Sequence, residues 1–223
     1  MKKEHYRHRL PHFHSPGQTY FITWCLQSAT PRHALGKYTF ELESLQKKME
    51  LAKKGISHID KIQLLKEEYR IMRKKYMKAL HDFLDDDKYP EVDLSKPENS
   101  RIISNSLLYW ENEKLRNLAI LVMPNHVHWV VEAFDKDRFG ELVYLQDVLY
   151  SIKRFSAARI NRQENRSGRL WQKESFDTTI RDEDHLQKSI IYTLNNPLKA
   201  GLCCEWKEWP GNWVNEEYRE IMD

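Results

Sequence analysis

Two histidines separated by a single residue, His126 and His128, are the sharpest chemical feature of this 223-residue chain. They follow Met123-Pro124-Asn125 and alternate with Val127 and Trp129. On a β-strand, residues i and i+2 face the same side. The two imidazoles then stand side by side, roughly 6–7 Å apart along the strand. Two such nitrogens can take adjacent positions on one divalent metal. Val127 and Trp129 point the other way, into a core. The plain alternative is two unrelated histidines on a half-exposed strand, because His-x-His is a common chance pattern. A second feature is Tyr192-Thr193-Leu194-Asn195-Asn196-Pro197. On a helix, positions i and i+4 share a face, so Tyr192 and Asn196 project together near the helix end. Here too a bland reading stands beside the chemical one. A tyrosine among Ile190, Ile191 and Leu194 suits a half-buried core position, and Asn before Pro is an ordinary helix stop.

The surrounding elements follow from periodicity and breakers. Residues 18–27 (QTYFITWCLQ), after a Pro-Gly break, are aromatic and β-branched and read as a strand. Residues 41–84 carry apolar side chains at helical spacing among many charges, from Leu42 and Leu45 to Leu80 and Phe83. Gly55 divides them into two helices, a hairpin with its Lys/Glu faces outward. Residues 85–100 hold acids and two prolines and read as a loop, with a helix over 101–111. Leu118–Val122 and Val127–Val131 are short apolar runs separated by a Pro-Asn turn, which makes them a β-hairpin. A basic amphipathic helix is expected over 142–163, a strand over 170–180, and a helix N-capped by Asp182 running to about Asn195. With the 41–84 helices set aside, the order is βαββαβ, an α+β ferredoxin-like antiparallel sheet with helices on one face. The chain is expected to be one domain over 1–223, with 41–100 as a helical insertion and loop within it.

Net charge is +3, from 36 Lys+Arg against 33 Asp+Glu. That total hides an uneven distribution. Residues 1–40 hold six basic and one acidic residue plus five histidines, and residues 151–174 hold seven basic and two acidic. Two local basic blocks are the footprint expected for a polyanion; solvated surface is the bland alternative. No apolar run approaches the roughly 20 residues of a membrane helix. The opening MKKEHYRHRLPHFH is basic without an apolar core, unlike a secretory signal. Three cysteines, two of them adjacent, suggest neither a disulfide framework nor a zinc site, so a cytoplasmic setting is expected.

Taken together, the motifs are more specific. His-x-His follows Met-Pro-Asn. Trp171-Gln172 comes about 40 residues later, then Arg181-Asp182-Glu183 with His185-Leu186, then Tyr-x-x-Asn-Asn-Pro-x-Lys-Ala-Gly-Leu from Tyr192 to Leu202. This series resembles the single-tyrosine HUH transposases, most closely their REP-associated tyrosine transposase branch. The stretch Leu10 to Thr23 is also similar to that branch. The resemblance covers 7–40 and roughly 101–205, and leaves out the charged stretch 41–84.

The resemblance implies roles. His126 and His128 match the pair holding a divalent cation, Mg²⁺ or Mn²⁺. Asn196 matches a third ligand, and Tyr192 the nucleophile on a C-terminal helix. The implied reaction is nicking and strand transfer on single-stranded, hairpin-forming DNA through a 5′-phosphotyrosine. No nucleotide cofactor is expected, and no Walker-type phosphate loop is present. Arg7, Arg9 and His12 resemble an arm near the DNA hairpin. Lys153, Arg154 and Arg159 on the 142–163 helix, with Arg169 and Trp171 in the following loop, are the other expected DNA contacts. No general base is evident in the sequence; His185 and Lys188 are the nearest titratable groups. The protein is expected to act as a monomer or a homodimer. Competing readings are a regulatory hairpin-binding protein that does not cut, a metal hydrolase using His-x-His with an acid such as Asp177, and a plain interaction module.

Overall fold

A computed structural model describes residues 5–7, 11–13, 15–29, 35–54, 59–86 and 90–222. The N-terminal segment contributes two short strands, β1 (His5–Arg7) and β2 (Pro11–Phe13), paired with each other with Tyr6 opposite His12. Then follow β3 (Thr19–Cys25), α1 (Gly36–Lys54), α2 (Ile59–Asp86) and α3 (Pro97–Leu108). The second half of the chain supplies β4 (Leu115–Val122), β5 (His126–Ala133), α4 (Leu145–Gln163), β6 (Phe176–Thr179), α5 (Glu183–Lys199) and β7 (Asn212–Val214).

The main sheet is antiparallel with spatial order β6-β3-β5-β4-β7. Without β7, this is the expected split βαββαβ arrangement. The alternation of β5 assigns its two faces. Val127, Trp129 and Val131 enter the main core with Ile103 and Leu107 of α3 and with Val148, Leu149 and Ile152 of α4. Val130 enters a second core with Leu186, Ile190 and Leu194 of α5. The crossover helices α3 and α4 therefore cover one face, and the C-terminal helix covers the other. His126 and His128, in phase with Val130, look toward α5.

Several boundaries differ from the expectation. The inserted hairpin begins at Gly36, and α3 starts at Pro97, where the missing N–H of proline costs nothing. The strand expected over 170–180 shortens to β6, with Trp171 making one isolated bridge to Leu26. The Lys153 ammonium lies 2.8 Å from the Gln172 carbonyl and 3.4 Å from that of Glu174, so these groups turn to it instead of to a ladder. Helix α5 continues through Pro197 to Lys199. Only the last turn feels the lost donor, and Leu202 N–H bonding the Pro197 carbonyl at 2.9 Å closes it. The strand β7, which carries Trp213, was not foreseen; it adds a fifth member beside β4. Among the described residues, no helix is long and apolar enough to cross a membrane.

Candidate metal and tyrosine site

The turn that joins β4 to β5 sets the site. Pro124-Asn125 is a two-residue loop closed by the Met123 N–H on the His126 carbonyl at 2.9 Å. His126 and His128 emerge from it with 1% and 0% exposure. Their Nε2 atoms lie 3.1 Å apart. The tautomer of His126 can be read from its partners. Asn125 Nδ2 donates to the Leu84 carbonyl of α2 at 2.7 Å, which fixes the amide orientation. Asn125 Oδ1 then faces His126 Nδ1 at 2.6 Å. An amide oxygen only accepts, so Nδ1 carries the proton and Nε2 is a lone pair.

His128 Nδ1 lies 2.7 Å from the Thr23 hydroxyl, which serves as donor or acceptor. His128 can therefore donate through Nε2 to His126, or present a second lone pair to a cation between them. Burial holds both imidazoles in the neutral form that a metal requires: it pulls His126 down to about 3 and His128 well below its usual value, each lowered further by a neighbouring histidine.

Helix α5 brings two more groups. Asn196 is buried, with Nδ2 3.3 Å from His128 Nε2. Its Oδ1, the atom an amide offers to a cation, has no hydrogen-bond partner in the protein. Two imidazole nitrogens that face one another and an unsatisfied amide oxygen fit a divalent ion with open positions. Among the described residues, no three His, Cys, Asp or Glu side chains gather into a metal-holding cluster, so Asp177 does not join the pair as the hydrolase reading required.

Tyr192, one helical turn before Asn196, is half-buried. Its ring meets Phe21 edge-on at 5.8 Å and His128 at 5.5 Å, with the Lys199 ammonium 4.7 Å from its centroid. Burial raises its pKa, and the Asp85 carboxylate adds to that. The hydroxyl is bonded to His81 Nδ1 at 2.9 Å.

His81 is the residue that sequence reasoning missed. It belongs to α2, inside the stretch set aside as an insertion, and was masked there by its charged neighbours. The one available signal was a histidine beside Leu80, Phe83 and Leu84 on an apolar stripe. Of His185 and Lys188, the nearest titratable groups by sequence, the Lys188 ammonium pairs with Asp184 on its own helix at 2.7 Å, while the His185 backbone N–H caps onto Asp182 and its ring Nδ1 is buried without a hydrogen-bond partner.

The expected DNA contacts divide. Arg154, Arg159 and Arg169 are exposed. On α4, Arg154 and Arg159 accompany the exposed rings of Tyr150 and Phe155, with the Arg159 guanidinium 5.9 Å from the Phe155 centroid. That helix lies on the sheet face opposite Tyr192. Two contacts are corrected. Trp171 is a core residue, 4% exposed, edge-on to Trp24, with its indole N–H on the Ser156 hydroxyl at 3.1 Å; it has no face to offer a base. Lys153 is held by the 172–174 carbonyls, and burial brings it down to about 8. Arg7 and His12 lie in β1 and β2, where only the backbone is described, and Arg9 lies outside the described residues.

The fold and site thus define an α+β protein whose His-x-His strand faces a tyrosine-bearing helix. No family model matches the chain. It is 24% identical over 107 residues to a curated Haemophilus influenzae protein named "Putative REP-associated tyrosine transposase". That match covers 45% of this chain and 59% of the relative, so the chain spans well under two thirds of the relative's length. The resemblance read from the motifs thus meets a curated relative of the same branch. A solved structure described as a REP-associated tyrosine transposase bound to a REP hairpin aligns with 95% of this chain and 82% of its own, at 14% identity and a TM-score of 0.47.

Proposed function

We propose that this protein nicks and rejoins single-stranded, hairpin-forming DNA with Tyr192 as nucleophile. The observation that carries the reading is the convergence of the His126 and His128 Nε2 atoms, Asn196 and Tyr192 on one place between β5 and α5. The similarity to the curated transposase supports it. The Tyr192 oxygen attacks the scissile phosphorus, the 3′ oxygen leaves, and the phenolic proton ends on the freed 3′-hydroxyl. The product is a 5′-phosphotyrosine that keeps the phosphodiester's bond energy for rejoining. His126, His128 and Asn196 would hold Mg²⁺ or Mn²⁺, which when bound neutralises a non-bridging phosphate oxygen and the charge that builds in the transition state. A buried phenol with a raised pKa has more need of that help than a free one.

Exposed Arg154 and Arg159, with Tyr150 and Phe155, would hold a flanking DNA segment through phosphate contacts and base stacking. The test is incubation with labelled hairpin oligonucleotides and Mn²⁺, followed by a denaturing gel. A covalent protein–DNA band is expected, absent in Tyr192→Phe and in EDTA. A gel shift without any adduct would favour a hairpin-binding protein instead.

A further inference from the structure

The metal pair is closed off from solvent, and the inserted hairpin does much of the closing. His126, His128 and Asn196 are 1%, 0% and 2% exposed, so a DNA phosphate has no way to reach them as the chain stands. The elements that carry the site are β5, β3 and α5. Over them lies α2. Its His81 ring sits edge-on to His128 at 5.7 Å and stacks on Tyr192 at 5.6 Å, while Nδ1 takes up the Tyr192 hydroxyl. Its Leu84 carbonyl is bonded to Asn125 beside the metal pair. Further along, Tyr76 packs on Phe176, and Arg73 donates to the Asp177 carbonyl, both on β6.

We propose that the inserted hairpin is a gate: α2 closes the His126–His128–Tyr192 site with His81 as its latch, and DNA enters after α2 moves away. Two features suit it to that task. The outer half of the hairpin has a core of its own, in which Leu45 and Ala52 of α1 meet Leu65 of α2, and Gln46 donates to the Tyr69 hydroxyl at 3.0 Å. It therefore holds together as a unit when contacts with the sheet are given up. The latch is also incomplete. His81 Nε2 is buried with no hydrogen-bond partner, a cost of the closed state that hydration relieves on opening. Against this, Leu80 and Leu84 beside the latch are buried in the main core, which makes closed the resting state.

The proposal rests on the nicking reading only for what enters. Two measurements test it on the full chain. The first is the single-turnover rate of adduct formation at saturating hairpin DNA with Mn²⁺. Losing one neutral latch bond in His81→Ala should raise it roughly five-fold. The second is amide hydrogen exchange of wild-type protein in EDTA, with and without the hairpin oligonucleotide. Residues 76–86 should lose protection when DNA binds. A slower His81→Ala with α2 protected on DNA would overturn the gate and give His81 to the chemistry itself. Adduct formation by wild type with α2 protection unchanged also overturns it. If α2 loses protection on DNA but neither protein forms an adduct, the gate stands and the nicking reading falls.

Discussion

Asn125→Ala should separate the proposed metal binding from folding at this site. The amide stands between two buried groups, the Leu84 carbonyl at 2.7 Å and His126 Nδ1 at 2.6 Å. Truncation leaves both unpaired where water does not reach. Each orphaned buried group costs about 1–3 kcal/mol, so metal-free stability should fall by about 2–6 kcal/mol. The second effect is on the tautomer. Without Oδ1 as acceptor, His126 loses the bond that keeps its proton on Nδ1, and the lone pair on Nε2 is no longer guaranteed. Loss of such an outer partner typically weakens a metal by 10- to 100-fold, or about 1.4–2.8 kcal/mol.

Mn²⁺ titration by calorimetry reads the second effect, and urea unfolding in EDTA reads the first. Asn125→Asp divides them further. It keeps an acceptor for His126 but opposes a second acceptor to the Leu84 carbonyl. Affinity should therefore stay within a few-fold while stability falls. Folded Asn125→Ala that binds Mn²⁺ as tightly as wild type would refute the tautomer argument.

Other expectations follow from how the basic and aromatic residues are used. Lys153→Ala should lower stability by about 1.5–3 kcal/mol, because the 172–174 carbonyls lose a charged donor, and should leave the salt dependence of DNA binding unchanged; urea melts and anisotropy at several salt concentrations check both. Arg154→Ala and Arg159→Ala should do the reverse, each reducing the magnitude of the salt slope by about one with stability intact. Trp171→Phe loses the bond to Ser156 and leaves a void, costing about 1–3 kcal/mol, without weakening hairpin binding; a loss of DNA affinity in folded protein would return Trp171 to the interface.

The sequence made some parts of this structure legible and hid others for physical reasons. The β4–β5 hairpin was readable because Pro124-Asn125 interrupts two apolar runs and because period two places both histidines on one face. Helix α5 announced itself through Asp182, whose carboxylate does accept from the His185 N–H at 2.8 Å. Tyr192 and Asn196 were readable as a pair by helical spacing, although their roles came only from resemblance. What could not be read was burial. Lys153 and Trp171 carry the residue types of a DNA contact, yet the loop carbonyls hold the first and the core takes the second. His81 lies 45 residues before His126, in a helix that periodicity describes as ordinary and amphipathic; only tertiary contact brings it to Tyr192. The edge strand β7 is three residues long, too short for any period to register.

The division of charge now has a geometric consequence. The exposed arginines of α4 and Tyr192 of α5 lie on opposite faces of one sheet, so DNA that meets both has to round the sheet, and an edge is one route. One edge is β7, beside which lie the 3₁₀ turn at Trp206–Glu208 and the indole of Trp209 on the Val122 carbonyl. The other is β6, and α2 lies against it through Tyr76 and Arg73 before reaching His81. A strand held by Arg154 and Arg159 and rounding β6 would meet the inserted hairpin before it met His126 and His128. Binding on the far face and displacement of α2 then become parts of one event, and an oligonucleotide too short to reach α4 should form adduct more slowly than a long one even at saturation. Equal saturated rates for the two lengths would mean that occupancy of α4 contributes nothing to opening.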